Sequence, residues 1–306
     1  MPEQKVCSIV LKPYCSNCCV FCRPLQEDSR LPSAALDQLD KDTFLAIEEF
    51  AKEGFRSIEV SGGDPLEYRK IFEVLGSLRD HGFRWIRIST NGVKLSDHGF
   101  ADRLLKYGVN VFRIPLYGPC AEIHDSVTRA KGSFDSTVEG IRYLKKKAKK
   151  TKILLTCLLL KQNALSLNDT FDLMVRLGCD DLYFATPYIS NKEPQLYYIP
   201  HKLQNPFFAR LIKHAQSLRR PIKLKDVPYC VLGSDNDFSD NTGRPAYLGA
   251  RFQPPPHVRT GETNLPSYRE KIKLPMCSEC AVSGKCHGLI KNDVLRYGTG
   301  DLKPVA

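Results

Sequence analysis

Three closely spaced cysteines near the start of the chain constrain its fold more than any other feature. The run Cys15-Ser16-Asn17-Cys18-Cys19-Val20-Phe21-Cys22 has the spacing C-x3-C-x2-C when it is counted through Cys15, Cys19 and Cys22. Three thiolates this close can bind one metal cluster, and the absence of a fourth local ligand leaves one iron coordinatively open, as catalytic metal sites require. A structural zinc site completed by residues elsewhere in the chain is the alternative.

The chain has the size and composition of a globular protein. Its 306 residues, 42% of them hydrophobic, suffice for one barrel-sized domain and a small appendage. No run approaches 18 apolar residues, and the N-terminus lacks the layout of a signal peptide, so we expect a cytoplasmic protein with no membrane contact. In that setting, the 12 cysteines favour reduced thiols and metal ligands over a disulfide framework.

The positive charge of the chain has two interpretations. A formal charge of +11 suits an anionic partner such as RNA, an acidic peptide or a phosphorylated metabolite. Solvated basic faces, such as the lysine-rich run at 145–150, raise the same count without any partner. Of these partners, we do not expect nucleic acid.

Six apolar segments alternate with helical patterns along most of the chain. The predicted strands lie at 6–11, 57–60, 85–89, 110–116, 152–160 and 181–186, and the predicted helices at 42–54, 68–79, 97–107, 133–149, 165–177 and 206–219, with Ser133 as a helix cap. Strict alternation predicts a parallel sheet with right-handed crossovers. From about residue 221 the pattern weakens, which predicts a core domain at 1–220 and a small domain at 221–306.

Two glycine-containing motifs follow predicted strands. Gly62-Gly63-Asp64-Pro65 follows strand two, where glycines allow close backbone approach to a ligand; an ordinary strand-to-helix turn opened by Pro65 is the alternative. Ser89-Thr90-Asn91-Gly92 follows strand three, where hydroxyl and amide groups can bind sugar hydroxyls or simply form a turn.

In this order and on these elements, the motifs resemble those of the radical S-adenosylmethionine (SAM) superfamily. The resemblance implies an α/β fold, a partial (β/α)6 TIM-type barrel with its site at the carboxyl ends of the strands. It implies that Cys15, Cys19 and Cys22 hold a 4Fe-4S cluster. It further implies that SAM is bound by Gly62, Gly63, Asp64 and Pro65 at its ammonium, by Ser89 and Asn91 at its ribose and by Phe21 at its adenine. Asp64 stands where the family more commonly has Glu.

The segment 114–134 resembles a motif block of the SPASM/Twitch branch of that superfamily. The shared features are Ile123-His124-Asp125, Arg129 and Gly132-Ser133-Phe134, while Pro115 and Tyr117 replace the usual Ser and Asp. The resemblance implies that Arg129 pairs with the SAM carboxylate, a role suited to a guanidinium. The replacements call a strand-four hydroxyl contact to SAM into question and indicate a changed substrate pocket. We expect His124 and Asp125 to be helix-start scaffolding.

A second cysteine group lies near the C-terminus. Its spacing, C-x2-C-x5-C, resembles part of the SPASM signature, and the resemblance implies one auxiliary 4Fe-4S cluster in a Twitch/SPASM-like domain, held by Cys230, Cys277, Cys280 and Cys286. A structural zinc site with the same ligands is the alternative, and His287 could replace one thiolate.

The remaining cysteines fall into two classes. Cys7, Cys157 and Cys179 lie on or beside predicted strands and are expected to be small core residues. In epimerases of the branch a cysteine returns a hydrogen atom to the substrate radical, and Cys120 or Cys18 could do this here.

The resemblance implies an enzyme that reductively cleaves SAM to a 5'-deoxyadenosyl radical and abstracts a substrate hydrogen, with a flavodoxin or ferredoxin as electron donor. A ribosomally made peptide that is crosslinked, oxidised or epimerised is the preferred substrate, although the chain starts directly at strand one and no leader-binding domain is expected. A sugar or aminocyclitol, oxidised or epimerised, is the alternative. A zinc-cysteine RNA-binding module is the alternative of another class, but no platform of basic and aromatic residues accompanies it.

Overall fold

The computed structural model describes residues 6–11, 15–22, 33–188, 193–240 and 270–306, with the side chains of 33–35 and 240 excepted. Most of the Pro- and Gly-rich stretch between Cys230 and Cys277 therefore lies outside the described residues. None of the helices in the described ranges combines the length and the apolar character needed to cross a lipid bilayer.

One parallel sheet organises the chain. Within the described ranges, eight strands of this sheet are hydrogen-bonded in sequence order, from β1 to β8. They are β1 (Val6–Leu11), β2 (Ser57–Gly62), β3 (Trp85–Ser89), β4 (Val109–Pro115), β5 (Lys152–Leu158), β6 (Asp181–Ala185), β7 (Lys223–Lys225) and β8 (Ser239–Asp240). Sequential order in a parallel sheet requires every connection to cross over in the same sense, so the predicted α/β barrel-type fold is confirmed.

Helices separate the strands and cover one face of the sheet. They are α1 (Ser33–Lys52), α2 (Ile71–Asp80), α3 (His98–Lys106), α4 (Ala121–Thr128), α5 (Ser133–Lys147), α6 (Leu167–Arg176), α7 (Asn205–Ser217) and α8 (Tyr229–Leu232). Alternate strand residues, such as Ile58, Ile88 and Phe112, bury into this helical layer. Their neighbours Glu59, Arg87 and Arg113 therefore project from the opposite, inner face, which is polar.

The structure differs from the sequence-based prediction at several elements. The helix α4 was not predicted, and β7 and β8 continue the sheet beyond residue 220. The predicted cap of α5 is wrong: Gly132 holds the capping position in a left-handed conformation, and Ser133 is the first helical residue. The carboxylate of Asp125 instead accepts hydrogen bonds from the backbone N–H groups of Gly132 and Phe134 at 2.7 and 2.9 Å. The expected scaffolding role of Asp125 is thus what the structure shows.

A small C-terminal unit follows the sheet. The antiparallel pair β9 (Lys271–Ile272) and β10 (Leu289–Ile290) leads into α9 (Lys291–Tyr297). The buried carboxylate of Asp293 on α9 accepts a hydrogen bond from the His201 backbone N–H at 3.2 Å and lies 3.1 Å from that imidazole. These contacts attach α9 to the loop region that follows β6.

Candidate active site

The three cysteines of the N-terminal run lie in one loop at the carboxyl end of β1. Backbone bonds attach this loop to the end of α4, since the N–H groups of Cys18 and Val20 donate to the carbonyls of Thr128 and Val127 at 2.8 and 2.9 Å. Within the loop, the Cys22 N–H donates to the Cys19 carbonyl at 3.0 Å. Backbone hydrogen bonds therefore hold the loop in shape, and the cysteine side chains take no part in them.

Two further strand ends converge on this loop through one residue. The Ser16 backbone N–H donates to Glu67 Oε1 at 3.0 Å, and Asn91 Nδ2 donates to Ser16 Oγ at 3.2 Å. Glu67 follows β2 and Asn91 follows β3. The Asn91 amide also lies 3.8 Å from the Cys15 sulfur. The three motifs that follow β1, β2 and β3 thus meet at one place.

Without a nearby cation, the environment of the loop disfavours the deprotonated, negatively charged form of its cysteines. Burial raises the pKa of Cys15 to about 11. Burial also raises the pKa of Cys19 strongly, and the charges of Cys22 and Cys15 add to the effect. Thiolates are the metal-binding form of cysteine. A bound cluster of iron ions would supply the missing positive charge, so the residues fit the group that the resemblance implies.

Asp64 is less accessible than its expected role requires. Its side chain is fully buried and accepts hydrogen bonds from the Leu66 N–H at 2.9 Å, the Thr90 hydroxyl at 2.8 Å and the Asn91 N–H at 3.1 Å. Burial raises its pKa to about 6. The carboxylate that does reach the cluster loop is that of Glu67, which no sequence pattern had indicated.

The glycine at the end of β2 is required for a reason other than ligand binding. Gly62 has a φ of +144°, and a Cβ atom there would lie 1.7 Å from the carbonyl oxygen of Leu11. Only glycine fits, because the neighbouring strand β1 passes too close for a side chain. Beside it, Pro65 begins a short 3-10 helix that Asp64 caps. The alternative interpretation of this motif as a structural turn therefore accounts for Gly62, Asp64 and Pro65, and their contacts with SAM stay a prediction.

The two residues expected at the ribose have protein partners. Ser89 Oγ donates to Glu59 Oε1 at 2.5 Å on the inner face of the sheet. Arg87 and Arg113 also lie beside Glu59, at 3.5 and 3.6 Å. The Asn91 side chain accepts from the Val93 N–H at 2.9 Å while its amide group contacts the cluster loop. Their ribose contacts remain a prediction.

An aromatic wall covers one side of the cluster loop. The Phe21 ring packs edge-on against Tyr117 and Tyr197, with centroids 5.4 and 6.5 Å away. The Tyr117 backbone N–H donates to His124 Nδ1 at 3.1 Å, and burial lowers the pKa of His124 to about 4. This histidine is therefore neutral at pH 7 and serves to hold Tyr117, in agreement with a scaffolding role. Phe21 is half-buried by these contacts, and its adenine contact stays a prediction.

Arg129 and Cys120 mark the two ends of α4. Arg129 ends the helix in a left-handed conformation with φ of 53°, and its side chain is exposed. Cys120 precedes the first turn and is exposed, whereas Cys18 in the cluster loop is half-buried. Both positions are open to a ligand, but the roles expected of these residues stay predictions. Cys7 and Cys157 are fully buried, and Cys179 packs on the same core, as expected.

The four C-terminal cysteines come together. Cys230, Cys277, Cys280 and Cys286 line one small cavity together with Tyr229, Met276 and Leu289. The backbone N–H groups of Leu274 and Gly288 donate to the sulfurs of Cys277 and Cys286, both at 3.3 Å. Burial raises the pKa of Cys230 to about 12, with smaller contributions from the other three cysteines. Among the described residues, no group of three or more metal-binding side chains is arranged to hold a single ion.

Comparison with known protein families supports the interpretation of the core. The family model described as the Radical SAM superfamily matches residues 9–174, which is more than half of the 306 residues. The matched segment contains the cluster loop, both glycine-containing motifs and α4.

Two curated relatives match the same part of the chain. A probable GTP 3',8-cyclase of Sulfurisphaera tokodaii is 25% identical over 175 residues, which cover 57% of this chain and 53% of that protein. An AdoMet-dependent heme synthase of Methanosarcina barkeri is 31% identical over 164 residues, which cover 54% of this chain and 45% of that protein. The match thus spans about half the length of each relative.

A solved structure shares the fold. Streptococcus suis SuiB bound to its precursor peptide SuiA superposes with a TM-score of 0.56 at 15% identity, over 72% of this chain and 48% of that one. SuiB has also been solved with S-adenosylmethionine bound. At this identity the similarity supports the fold alone.

Proposed function

The chain belongs to the radical SAM superfamily and is therefore an enzyme, and we propose that it cleaves SAM reductively at a 4Fe-4S cluster held by Cys15, Cys19 and Cys22. The observation that supports this most directly is the convergence of Glu67 and Asn91 on Ser16, which brings the ends of β2 and β3 to the cluster loop. A cluster held by these three cysteines would supply one electron to the sulfonium of SAM, whose carbon–sulfur bond would break to give methionine and a 5'-deoxyadenosyl radical able to take a hydrogen atom from the substrate.

The residues of the chain orient and shield this chemistry. The rings of Phe21, Tyr117 and Tyr197 form an apolar wall that excludes water from the buried Cys19 side of the loop. The Asn91 amide directs an N–H toward the Cys15 sulfur, a contact of the kind that stabilises a thiolate. The backbone of the loop is fixed by α4, so the three thiols keep their relative positions.

For SAM we propose four groups of contacts. Gly62 and Gly63 offer backbone carbonyls to the ammonium. Because Asp64 is buried, Glu67 is the carboxylate that can assist them. Arg129, exposed at the end of α4, pairs with the carboxylate of SAM. Ser89 and Asn91 at the ribose and Phe21 at the adenine complete the site, and Cys120 is the proposed hydrogen donor if the reaction is an epimerisation.

The C-terminal cysteines are proposed to hold one auxiliary 4Fe-4S cluster, as in the SPASM/Twitch branch. Four thiols line one cavity, and two backbone N–H groups donate to their sulfurs. Zinc remains the competing metal. We propose the domain boundary near residues 220 and 221, with the short strands β7 and β8 extending the core sheet past it.

A peptide is the proposed substrate. This choice follows from the resemblance to the SPASM/Twitch branch; SuiB, which shares the fold, has been solved with a precursor peptide. A sugar or aminocyclitol, oxidised or epimerised, is the alternative substrate.

The experiment that tests the reaction is anaerobic reconstitution followed by metal analysis and incubation with SAM and dithionite. We expect about eight irons per chain and formation of 5'-deoxyadenosine. About four irons with one zinc would retain the reaction and make the C-terminal site structural. Zinc alone, without 5'-deoxyadenosine, would contradict the proposed function.

A further inference from the structure

A wide apolar cleft opens on the surface beyond the aromatic wall. Its volume is about 680 Å³, and Tyr198, Tyr297 and Phe207 contribute its aromatic lining. At its margin Leu165 is 82% exposed and Leu203 is 55% exposed. Exposed leucines concentrated at one cleft are typical of a surface that binds another molecule.

Three cations lie at or beside this cleft: Lys161 lines it, and Lys202 and Arg296 adjoin its lining residues Leu203 and Tyr297 in the chain. Lys161 Nζ donates to the Gln195 carbonyl at 2.7 Å, and Lys202 Nζ donates to the Tyr297 carbonyl at 2.6 Å. Arg296 donates to the side-chain oxygen of Gln195 at 3.2 Å. In the part of the chain that the structure describes, none of the three forms an ion pair. All three side chains are exposed, so their charges are available to an anionic partner.

Packed aromatic rings connect the cleft to the cluster loop. The centroid of Phe21 lies 6.5 Å from that of Tyr197, Tyr197 lies 6.4 Å from Tyr198, and Tyr198 stacks on Tyr297 at 5.9 Å. Cys19 packs against the same apolar cluster at its inner end. Electron transfer through protein weakens steeply with distance and is faster through packed atoms than across gaps. The cleft is therefore a surface from which a short, packed route leads to Cys19.

We propose that this cleft is the docking surface for a small acidic electron-carrier protein that reduces the cluster at Cys15, Cys19 and Cys22. The inference rests on the proposed function. One electron leaves the reduced carrier, which is oxidised, and enters the cluster, which is reduced, so no further reactant is needed. Charge complementarity steers such encounters, and redox complexes are commonly small and transient.

A second copy of the chain suits the cleft less well. In a two-fold symmetric contact the same patch meets itself, so Lys161, Lys202 and Arg296 would face their own copies. Like charges across an interface oppose association. An acidic carrier meets the same cations with opposite charge and covers the exposed leucines.

The test compares two triple variants of the reconstituted full-length protein. Lys161→Glu, Lys202→Glu and Arg296→Glu reverse the charge of the cleft. The matched control changes Lys146, Lys149 and Lys150 to Glu, which alters the net charge equally at exposed lysines of the run at 145–150. The probe is a flavodoxin of net negative charge, used oxidised for calorimetric binding and fully reduced for 5'-deoxyadenosine formation.

We expect the cleft variant to bind flavodoxin at least about tenfold more weakly at low salt, with a smaller salt dependence, and the control to stay within about threefold of wild type. The flavodoxin-driven rate should fall with the affinity, while the dithionite-driven rate should stay within about twofold of wild type, because dithionite needs no docking surface. A single variant, Leu165→Asp, breaks no hydrogen bond and should also weaken binding.

Two outcomes would overturn the docking proposal: wild-type affinity in the cleft variant, or equal weakening in both triple variants. If dithionite yields no 5'-deoxyadenosine with the wild-type protein, the proposed function fails instead. The calorimetric binding result would still decide whether the cleft binds an acidic carrier.

Discussion

Thr90 and Asp64 join the ends of two neighbouring strands, since Thr90 Oγ1 lies 2.8 and 2.9 Å from the two carboxylate oxygens of Asp64. The bond links the motif that follows β2 to the motif that follows β3, beneath the cluster loop. Asp64 thereby positions Asn91, whose backbone N–H donates to the same carboxylate at 3.1 Å. Asp64, which the sequence predicts to contact SAM, is thus a buried residue that joins two loops of the site through hydrogen bonds.

The raised pKa of Asp64 predicts a specific pH dependence of stability. Its pKa is about 6 in the folded protein because of burial, against about 3.9 in the unfolded chain. Between these values the Asp64 carboxyl binds more protons in the folded state than in the unfolded state, so its contribution to the free energy of unfolding falls as pH rises through this window. The full effect is about 3 kcal/mol.

This dependence is measured by denaturant unfolding at pH 4.0 and pH 6.5. His124, with its lowered pKa, titrates in the same window with the opposite effect, so the contribution of Asp64 is measured against the variant Asp64→Asn: relative to this variant, wild type should lose about 2 kcal/mol more between the two pH values. Asp169→Asn, at an exposed carboxylate, is the control and should follow wild type. If wild type and Asp64→Asn lose the same stability between the two pH values, Asp64 does not titrate as described.

Single substitutions can show which cysteines of the N-terminal loop bind the cluster. Cys15→Ser, Cys19→Ser and Cys22→Ser should each lower the iron content of the reconstituted protein from about eight to about four per chain and abolish formation of 5'-deoxyadenosine. Cys18→Ser is the matched control, because Cys18 shares the loop but lies outside the C-x3-C-x2-C spacing. If the Cys18 variant lost iron while the other three variants kept it, the proposed assignment of the ligands would be wrong.

The C-terminal cysteines give a complementary result. The double variant Cys277→Ser and Cys280→Ser should lose about four irons while the N-terminal cluster and its charge-transfer absorption remain. Cys179→Ser, beside the core, should keep the full iron content. A loss of zinc with unchanged iron would show that this cavity is a structural zinc site.

Arg129 allows binding and backbone effects to be distinguished. Its left-handed conformation, with φ of 53°, costs an ordinary residue about 1 kcal/mol that glycine avoids. The free energy of unfolding of Arg129→Gly should therefore equal or slightly exceed that of wild type. Arg129→Ala should be about 1 kcal/mol less stable than the glycine variant.

Both Arg129 variants should bind SAM about 10 to 100 times more weakly, because a charge-assisted bond to the SAM carboxylate is lost. Anaerobic calorimetry with SAM measures this affinity, and denaturant unfolding measures stability. Wild-type affinity for SAM in Arg129→Gly would remove Arg129 from the binding site and leave it as a helix terminus.

Much of the fold was predictable because it depends on local patterns. The apolar repeat of each of the six main strands and their helices can be recognised within a short stretch of sequence. The predicted bounds of β1, Val6–Leu11, and of β3, Trp85–Ser89, are therefore the observed ones. The short helix α4 is absent from the sequence-based prediction because its eight residues make only about two turns, too few for a repeating pattern to be recognised. The strands β7 and β8 were missed because their pairing, rather than their composition, defines them.

Spacing along the chain is a local property, so the superfamily, the order of strands and helices and the loop that carries Cys15, Cys19 and Cys22 could be inferred before the fold was known. The burial of Asp64, the contacts of Glu67 and Asn91 with Ser16 and the stacking of Tyr198 on Tyr297 could not be inferred in this way. Such contacts join residues that lie far apart in the chain. They depend on strand register and on the packing of helices against the sheet, which no short stretch of sequence specifies.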